Sequence, residues 1–363
     1  MRPSQVRWVL PRLFVRTCSI HRDEVMSYKV AVVGATGNVG REILEILAQR
    51  EFPVREVVAL ASRNSAGKEV SFGDTQTLTV QALDDYDFTG TDIALFSPGS
   101  AVSKIHAPRA AAQGCVVIDN TSQFRMDADV PLVVPEVNPE DALNRPRNVI
   151  ANPNCTTIQM VVALKAIENF SHIKRVHVAT YQAASGAGAA AMDELYEQYR
   201  QVLANEPVTV EKFAYQLAFN LIPQIDVFTG NGYTKEEQKI IDETKKIMGL
   251  PDLKITTTTV RVPVMGGHSE SVNVQFINQV DLDQVSTSLA NFSGIKLLDN
   301  PSEAQYPMPI TAHDNDYVWV GRIRMDDSAE NAINLWIVSD NLRKGAATNA
   351  IQIAEYLVSN ELV

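Results

Sequence analysis

Cysteine is scarce. Three residues, at positions 18, 115 and 155 of 363, are too few and too widely spaced for a disulfide framework or a zinc ligand set, so no metal is expected. That scarcity suits a reducing compartment. Histidine is scarce too, with six. A basic excess is missing: the formal net charge is −11, which argues against nucleic acid as a partner. No apolar run is long enough to span a bilayer, so no membrane partner is expected. Repeats and low-complexity segments are absent. What remains is an ordinary globular composition, 45% hydrophobic and 21% charged, with length for two domains.

Residues 1–26 stand apart as a tail. Arg2, Arg7, Arg12, Arg16 and Arg22 all precede the first acid, Asp23. Such a leader fits organelle import, into a plastid for example. The preferred reading is an upstream start ahead of Met26, with the protein cytoplasmic. Pro11 and Arg12 interrupt "WVLPRLFV", against a secretory signal.

From Tyr28 onward, strands and helices alternate. "KVAVVGA" (29–35), "REVVALAS" (55–62), "DIALFSP" (92–98) and "CVVIDN" (115–120) are short apolar runs of the kind buried in a parallel sheet. "VGREILEILAQR" (39–50) has helical spacing, and 101–114 predicts a helix that Pro108 kinks or shortens. After about residue 170, β-branched and alternating segments predict a mostly antiparallel sheet (175–184, 255–264, 269–276, 317–325 and 331–340). A last helix carries Ala350, Ile351, Ala354, Leu357 and Val358 on one stripe. The fold class expected is α/β: a Rossmann-type parallel-sheet nucleotide domain plus an α+β domain.

"GATGNVG" joins the first strand to the first helix, placing Gly34, Gly37 and Gly40 where backbone must approach a pyrophosphate at a helix N-terminus. An NAD site carries an acid after the second strand. Here "LASRNSAG" has none, and Arg63 with Ser62 and Ser65 suits a 2′-phosphate, so NADP is the expected cofactor.

Cys155, in "NPNCTT", opens a helix whose Ile158, Val161, Val162 and Ala166 form an apolar stripe. The helix N-terminus favours thiolate there, whereas Cys115 opens an apolar strand and reads as inert. Among the histidines, His106, His172 and His177 read as structural. His268, after a Gly-Gly turn, is preferred over His313 as the thiol's partner. Arg261, on the preceding strand, can clamp a carboxylate or form a surface ion pair. "GYTKEEQKII" (232–241) predicts Thr234 as N-cap and Glu237 closing a capping box. Glu236 and Lys239 share a face there, which spacing alone assigns to solvent.

"VAVVGATGNVG", "SRNSAG", "DNTSQFRMD", "NPNCTT", "QAASGAG", "EEQK", "RVPVMGGHSE" and "NLRKGAATNAIQIAE", in that order over residues 27–363, resemble aspartate-β-semialdehyde dehydrogenase. The resemblance implies NADPH-dependent reduction of L-aspartyl 4-phosphate to L-aspartate 4-semialdehyde and phosphate, within lysine, threonine, methionine and diaminopimelate biosynthesis. It implies Cys155 as nucleophile, His268 as acid/base and Gln182 as an orienting residue. It assigns Arg261, Glu236 (or Glu237) and Asn154 to substrate, and Arg125 with Lys239 to phosphate. Thr36, Asn38, Val39, Ser185, Gly186 and Asn341 match cofactor positions. It also implies a nucleotide domain of 27–152 completed by 341–363, a catalytic and dimerisation domain of 153–340, and a homodimer or dimer of dimers.

The nearest rival is an N-acetyl-glutamyl-phosphate reductase, but an acylated amine needs no partner such as Glu236. A glyceraldehyde-phosphate dehydrogenase lacks support, since "SCTTN" and the NAD-type acid are missing. A non-catalytic NADP sensor leaves Cys155 and His268 idle, and a cysteine hydrolase leaves the glycine loop idle.

Overall fold

The computed structural model describes residues 27–363, so the Arg-rich leader lies outside the described residues. Among the described residues, no helix is long and apolar enough to cross a membrane.

The N-terminal half builds one parallel sheet. Its strands are β1 (Tyr28–Val33), β2 (Val54–Ala61), β5 (Gln81–Ala82), β6 (Ile93–Phe96), β7 (Val116–Asp119) and β8 (Val149–Ala151), in the spatial order β5-β2-β1-β6-β7-β8. A separate hairpin pairs β3 (Glu69–Phe72) with β4 (Gln76–Thr79). The strands are apolar on both faces because both faces are covered. Helix α1 (Asn38–Gln49) buries Ile43, Leu44, Ile46 and Leu47. Helix α2 (Ser100–Ala112) accommodates Pro108 in its last turns. The order reverses beside β1, which puts a topological switch point at the carboxyl ends of β1 and β6.

Helix α3 (Cys155–Glu168) follows. The sequence predicts one apolar stripe, but eleven of its fourteen residues are buried. The reason is its position: a single core joins Val117 and Ala151 of the first sheet, α3, and Val176, Val272 and Ile337 of the second. A helix packed on all sides needs no solvent face.

The second sheet contains β9 (Ile173–Gln182), β10 (Lys254–Arg261), β11 (His268–Phe276), β12 (Ile295–Leu297), β13 (Val318–Met325) and β14 (Ala332–Ser339), ordered β10-β9-β11-β14-β13-β12. Three pairings are antiparallel, while β9–β10 and β12–β13 are parallel. Two parallel neighbours need a long crossover. Between β9 and β10 it includes α4 (Ala189–Leu203) and α5 (Lys235–Met248). Helices α6 (Leu282–Asn291) and α7 (Pro309–Ala312) lie later in the chain.

The terminal helix α8 (Thr348–Ser359) is entered through a π-helical turn at Arg343–Ala347. It buries Ile351, Ala354 and Leu357 in the same core as α1 and β1. Lys344, in that turn, is fully buried and bonds Glu136, Asn349 and Gln352.

Candidate active site

The glycine loop shows why its glycines are needed. Gly34 has φ +87°, and a Cβ there would sit 2.8 Å from the Ser97 carbonyl. A Cβ on Gly40 would fall 2.1 Å from the Gly34 oxygen, which no real contact allows. The loop therefore closes against α1 and leaves a cradle at the switch point, a cavity of about 330 Å³ lined by Gly34, Thr36, Gly37, Ser62, Asp84 and His106. Asn38 and Val39 open α1. These residues fit a dinucleotide phosphate at a helix N-terminus.

Beside this cavity stand charged groups that the sequence reading did not bring together. Arg63 and Ser65 form a short 3₁₀ turn after β2. The exposed Arg63 guanidinium is bonded to Asp85 at 2.6 Å and lies 3.3 Å from Asp84. An acidic pair that "LASRNSAG" lacks stands about twenty residues on, in a 3₁₀ turn at Leu83–Asp85, and both Asp84 and His106, the latter read as structural, border the cavity. Neither residue carries a local motif, since only the fold brings β2 and the segment after β5 together.

Cys155 begins α3 and is half-buried. Asn154 is the N-cap. Its Oδ1 accepts the Thr156 N–H at 3.0 Å, and its Nδ2 donates to Glu236 at 2.9 Å. The expected thiolate is not what the free site favours. Burial and then the Glu236 carboxylate push the Cys155 thiol up to about 12, against the pull of Arg125 and Arg261. Desolvation outweighs the helix dipole. Cys115 is buried with its thiol also pushed up, as expected of an inert cysteine.

Helix α5 aims an acid at this thiol. The capping box forms as read, with the Glu237 side chain accepting the Thr234 N–H at 2.7 Å and also the Thr259 N–H at 2.9 Å. Both Glu237 oxygens are therefore taken, and Glu236 is the carboxylate facing Cys155. Glu236 is 6% exposed, not on a solvated face. Its Oε1 accepts from Asn154 and from Gln182 (3.2 Å), and its Oε2 from Lys239 (3.2 Å). Burial pushes this carboxyl up, but Lys239, Asn154 and Gln182 outweigh it and hold it below the ordinary range. Lys239 also bonds Asp226 at 3.1 Å.

Strands β9, β10 and β11 supply the rest. Arg261 pairs in register with Gln182, and both point toward α3. Arg261 is buried and donates to the Ala183 carbonyl, so a surface ion pair is excluded. The Ala183 N–H donates to His268 Nδ1 at 3.1 Å. A nitrogen that accepts cannot carry the proton, so the neutral ring holds it on Nε2. Burial and then Arg261 push His268 down to about 3, which keeps it neutral. Nε2 has no partner. Both it and Arg261 Nη1 would lie 3.1 Å from a Cβ on Gly186, so that glycine leaves the opening between them. Ser185 and the Gly267 N–H both bond Asn341 Oδ1 at 3.0 Å, which brings these cofactor candidates beside His268. His313 stays exposed, against Asp314 and Asp340.

Arg125 reaches the site from the first sheet, but three of its five N–H donors are committed: to Glu243 at 2.9 Å, the Asn152 carbonyl at 2.9 Å and the Asn120 carbonyl at 2.7 Å. Glu243 also accepts the Asn154 N–H at 2.7 Å. The sequence reading missed Glu243. The available signal was its spacing of seven from Glu236 on one helix, which puts both on the same face.

Two family models match parts of the chain. A family model described as "Semialdehyde dehydrogenase, NAD binding domain" matches residues 29–145, and one described as "Semialdehyde dehydrogenase, dimerisation domain" matches residues 164–344. The chain is 51% identical to an aspartate-semialdehyde dehydrogenase of Aquifex aeolicus, over 93% of this chain and 100% of that one. Among solved structures, aspartate semialdehyde dehydrogenase II of Vibrio cholerae complexed with ASA superposes with TM-score 0.90 at 50% identity, covering 92% of this chain and 99% of that one. Aspartate semialdehyde dehydrogenase of Candida albicans with NADP gives 0.72 at 26% identity, covering 93% and 100%.

Proposed function

The chain belongs to the aspartate-semialdehyde dehydrogenase family, and from that premise we propose that it reduces L-aspartyl 4-phosphate to L-aspartate 4-semialdehyde through a thioester on Cys155. The observation that carries this reading is the convergence of Cys155, His268, Gln182, Arg261 and the Glu236–Lys239 pair around one opening. A substrate bearing a carboxylate, an ammonium and a phosphate needs buried charges of both signs. Arg261 receives the carboxylate and Glu236 the ammonium, with Asn154 alongside. Lys239 and the two free donors of Arg125 receive the phosphate. Glu237 is held elsewhere.

Cys155 sulfur attacks the acyl carbon, and the C–O bond to phosphate breaks. The thiol proton passes to His268 Nε2, which becomes an acceptor once the ring proton shifts to Nδ1 and the Ala183 contact is given up. Thr36, Gly37 and Ser62 would hold the reduced nicotinamide cofactor, which would supply the hydride needed at the thioester carbon. The oxyanion faces the Cys155 N–H at the start of α3, since the neighbouring Asn154 and Thr156 N–H groups are bonded to Glu243 and to Asn154 Oδ1. As it collapses, His268 returns the proton to sulfur from Nε2 and the aldehyde is released. Splitting the reaction at a thioester avoids reducing a carboxylate directly.

NADP is the cofactor this reading prefers. Ser62 lines the cradle, Arg63 follows it in the chain, and one structural relative is titled with NADP. Asp84 on that cavity supports NAD as a second reading, because it can accept a ribose hydroxyl. We assign residues 27–152 and 341–363 to the nucleotide unit and 153–340 to the catalytic unit. A homodimer suits the exposed Tyr196, Leu203, Tyr215 and Leu221, and light scattering distinguishes it from a tetramer. A reduced thiol and NADPH suit the cytoplasm.

The test is phosphate-dependent reduction of NADP by L-aspartate semialdehyde, run beside NAD and beside Cys155→Ala. Turnover that requires both phosphate and Cys155 supports the reading. A folded protein that binds NADP without turnover overturns it.

A further inference from the structure

Beneath the catalytic groups lies a second polar layer that the reaction does not use. The catalytic layer is made of Arg261 on β10, Gln182 on β9, His268 on β11 and Cys155 on α3. Two residues along each strand, on the same inward face, stand Thr259, Thr180 and Glu270. The register pairs Thr259 with Thr180, and Thr180 with Glu270. One helical turn after Cys155, α3 presents Gln159. Glu270, Gln159 and Thr259 are each no more than 1% exposed.

This layer is unusual because its atoms are unpaired. Among the described residues, both Glu270 oxygens, both polar atoms of the Gln159 side chain and Thr259 Oγ1 have no hydrogen-bond partner of good geometry. Orphaned buried polar atoms are rare and each is unfavourable by about 1–3 kcal/mol. An apolar residue at position 270 would pack against Val178, Val272 and Ile337 without that penalty. The groups facing Glu270 are Thr180 from β9, Ile337 from β14 and Gln159 from α3, none of them cationic. An isolated carboxylate there would be far more unfavourable than a carboxylic acid.

We propose that Glu270 is a positioning residue for the Cys155–His268 pair: a carboxylic acid that engages the amide of Gln159, directly or through an internal water, and so ties α3 to β11 one layer below the reacting groups. It rests on the reaction assigned above. Burial raises the Glu270 carboxyl well above the usual range and outweighs the opposing pull of the Gln159 amide, in keeping with an uncharged group whose O–H can donate to Gln159 Oε1. Loss of the tie frees α3 to shift against β11. Sulfur and imidazole then lose their alignment while the substrate clamps, on α5 and β10, keep theirs. A misplacement of about 1 Å at reacting atoms can reduce rate about a hundredfold.

The experiment compares Glu270→Gln and Glu270→Leu with the full-length wild type in the NADP- and phosphate-dependent assay, with thermal midpoints measured in parallel. Glu270→Gln, an isostere of the neutral acid, is expected to keep kcat within about threefold and leave the pH profile unchanged. Glu270→Leu is expected to lose at least about tenfold in kcat with KM nearly unchanged and a midpoint no lower than wild type. Full kcat in Glu270→Leu overturns the proposal, as does a loss in Glu270→Gln equal to that in Glu270→Leu. Infrared difference spectra of wild type against Glu270→Gln give a readout free of turnover. A carboxylic-acid carbonyl band at neutral pH, absent from the variant, supports the proposal even where Glu270→Leu does not fold, and its absence refutes it. A wild type without turnover sinks the reaction reading instead, and the infrared band still decides the state of Glu270.

Discussion

Replacing Glu236 by Gln should make Cys155 more reactive and the enzyme slower. The thiol is pushed up to about 12 by burial first and by the Glu236 carboxylate second. At that value roughly one thiol in ten thousand is ionised at pH 8. Gln keeps the side-chain volume and bonds to Asn154, but it removes the neighbouring negative charge. A like charge at such range contributes about one unit or more, so the thiol should fall by about one unit, with burial still holding it high. Alkylation of Cys155 by iodoacetamide at pH 8 should then run about tenfold faster. Mass spectrometry of the Cys155 peptide keeps Cys18 and Cys115 out of the readout. Catalysis should move the other way. The ammonium loses a charge-assisted partner worth about 1.5–3 kcal/mol, which lowers kcat/KM by roughly ten- to a hundredfold. Alkylation that is unchanged or slower would refute the account, because Glu236 would then not be acting on the sulfur. Faster alkylation with undiminished kcat/KM would refute its role toward substrate.

Other expectations follow from the same geometry. Arg63→Ala should weaken NADP roughly tenfold or more relative to NAD, measured as the ratio of kcat/KM values; an unchanged ratio would leave Asp84 and NAD as the better reading. The His268 ring proton signal, assigned with His268→Asn, should not titrate between pH 5 and 8 in the free enzyme, since burial and Arg261 push the group down to about 3. The unfolded ring takes up a proton below about 6.5 while the folded ring does not, so this group's contribution to stability is lost as pH falls through that window, by about 1.4 kcal/mol per unit. His268→Asn should flatten that part of the urea-midpoint profile. Lys344→Ala leaves the buried Glu136 carboxylate with the Gln352 amide but no cation, and should destabilise the fold by about 3–5 kcal/mol in urea unfolding.

The alternation of apolar runs with helical spacing was enough to determine the parallel sheet, because both its faces are buried and its strands carry that in their composition. Local chemistry was equally legible. The glycine loop, the Thr234–Glu237 capping box and the cysteine at a helix start each need only neighbours in sequence. The Gly-Gly turn before His268 favoured it over His313, whereas Gln182 was named only by the resemblance across ordered motifs. What local sequence could not carry was anything that depends on burial or on distant strands meeting. The helix dipole at Cys155 is written in "NPNCTT", but the desolvation that overrides it exists only once α3 is enclosed by two sheets. Spacing assigned Glu236 and Lys239 to solvent, and packing against Asn154 and Gln182 placed them at the site. Asp84 reaches Arg63, Glu243 holds Arg125, and Glu270 lies under His268 because of strand order and register, which are properties of the folded chain. Hydrophobic periodicity encodes which face is buried; only the tertiary structure decides which polar groups share that buried space, and their charges and protonation follow from that company.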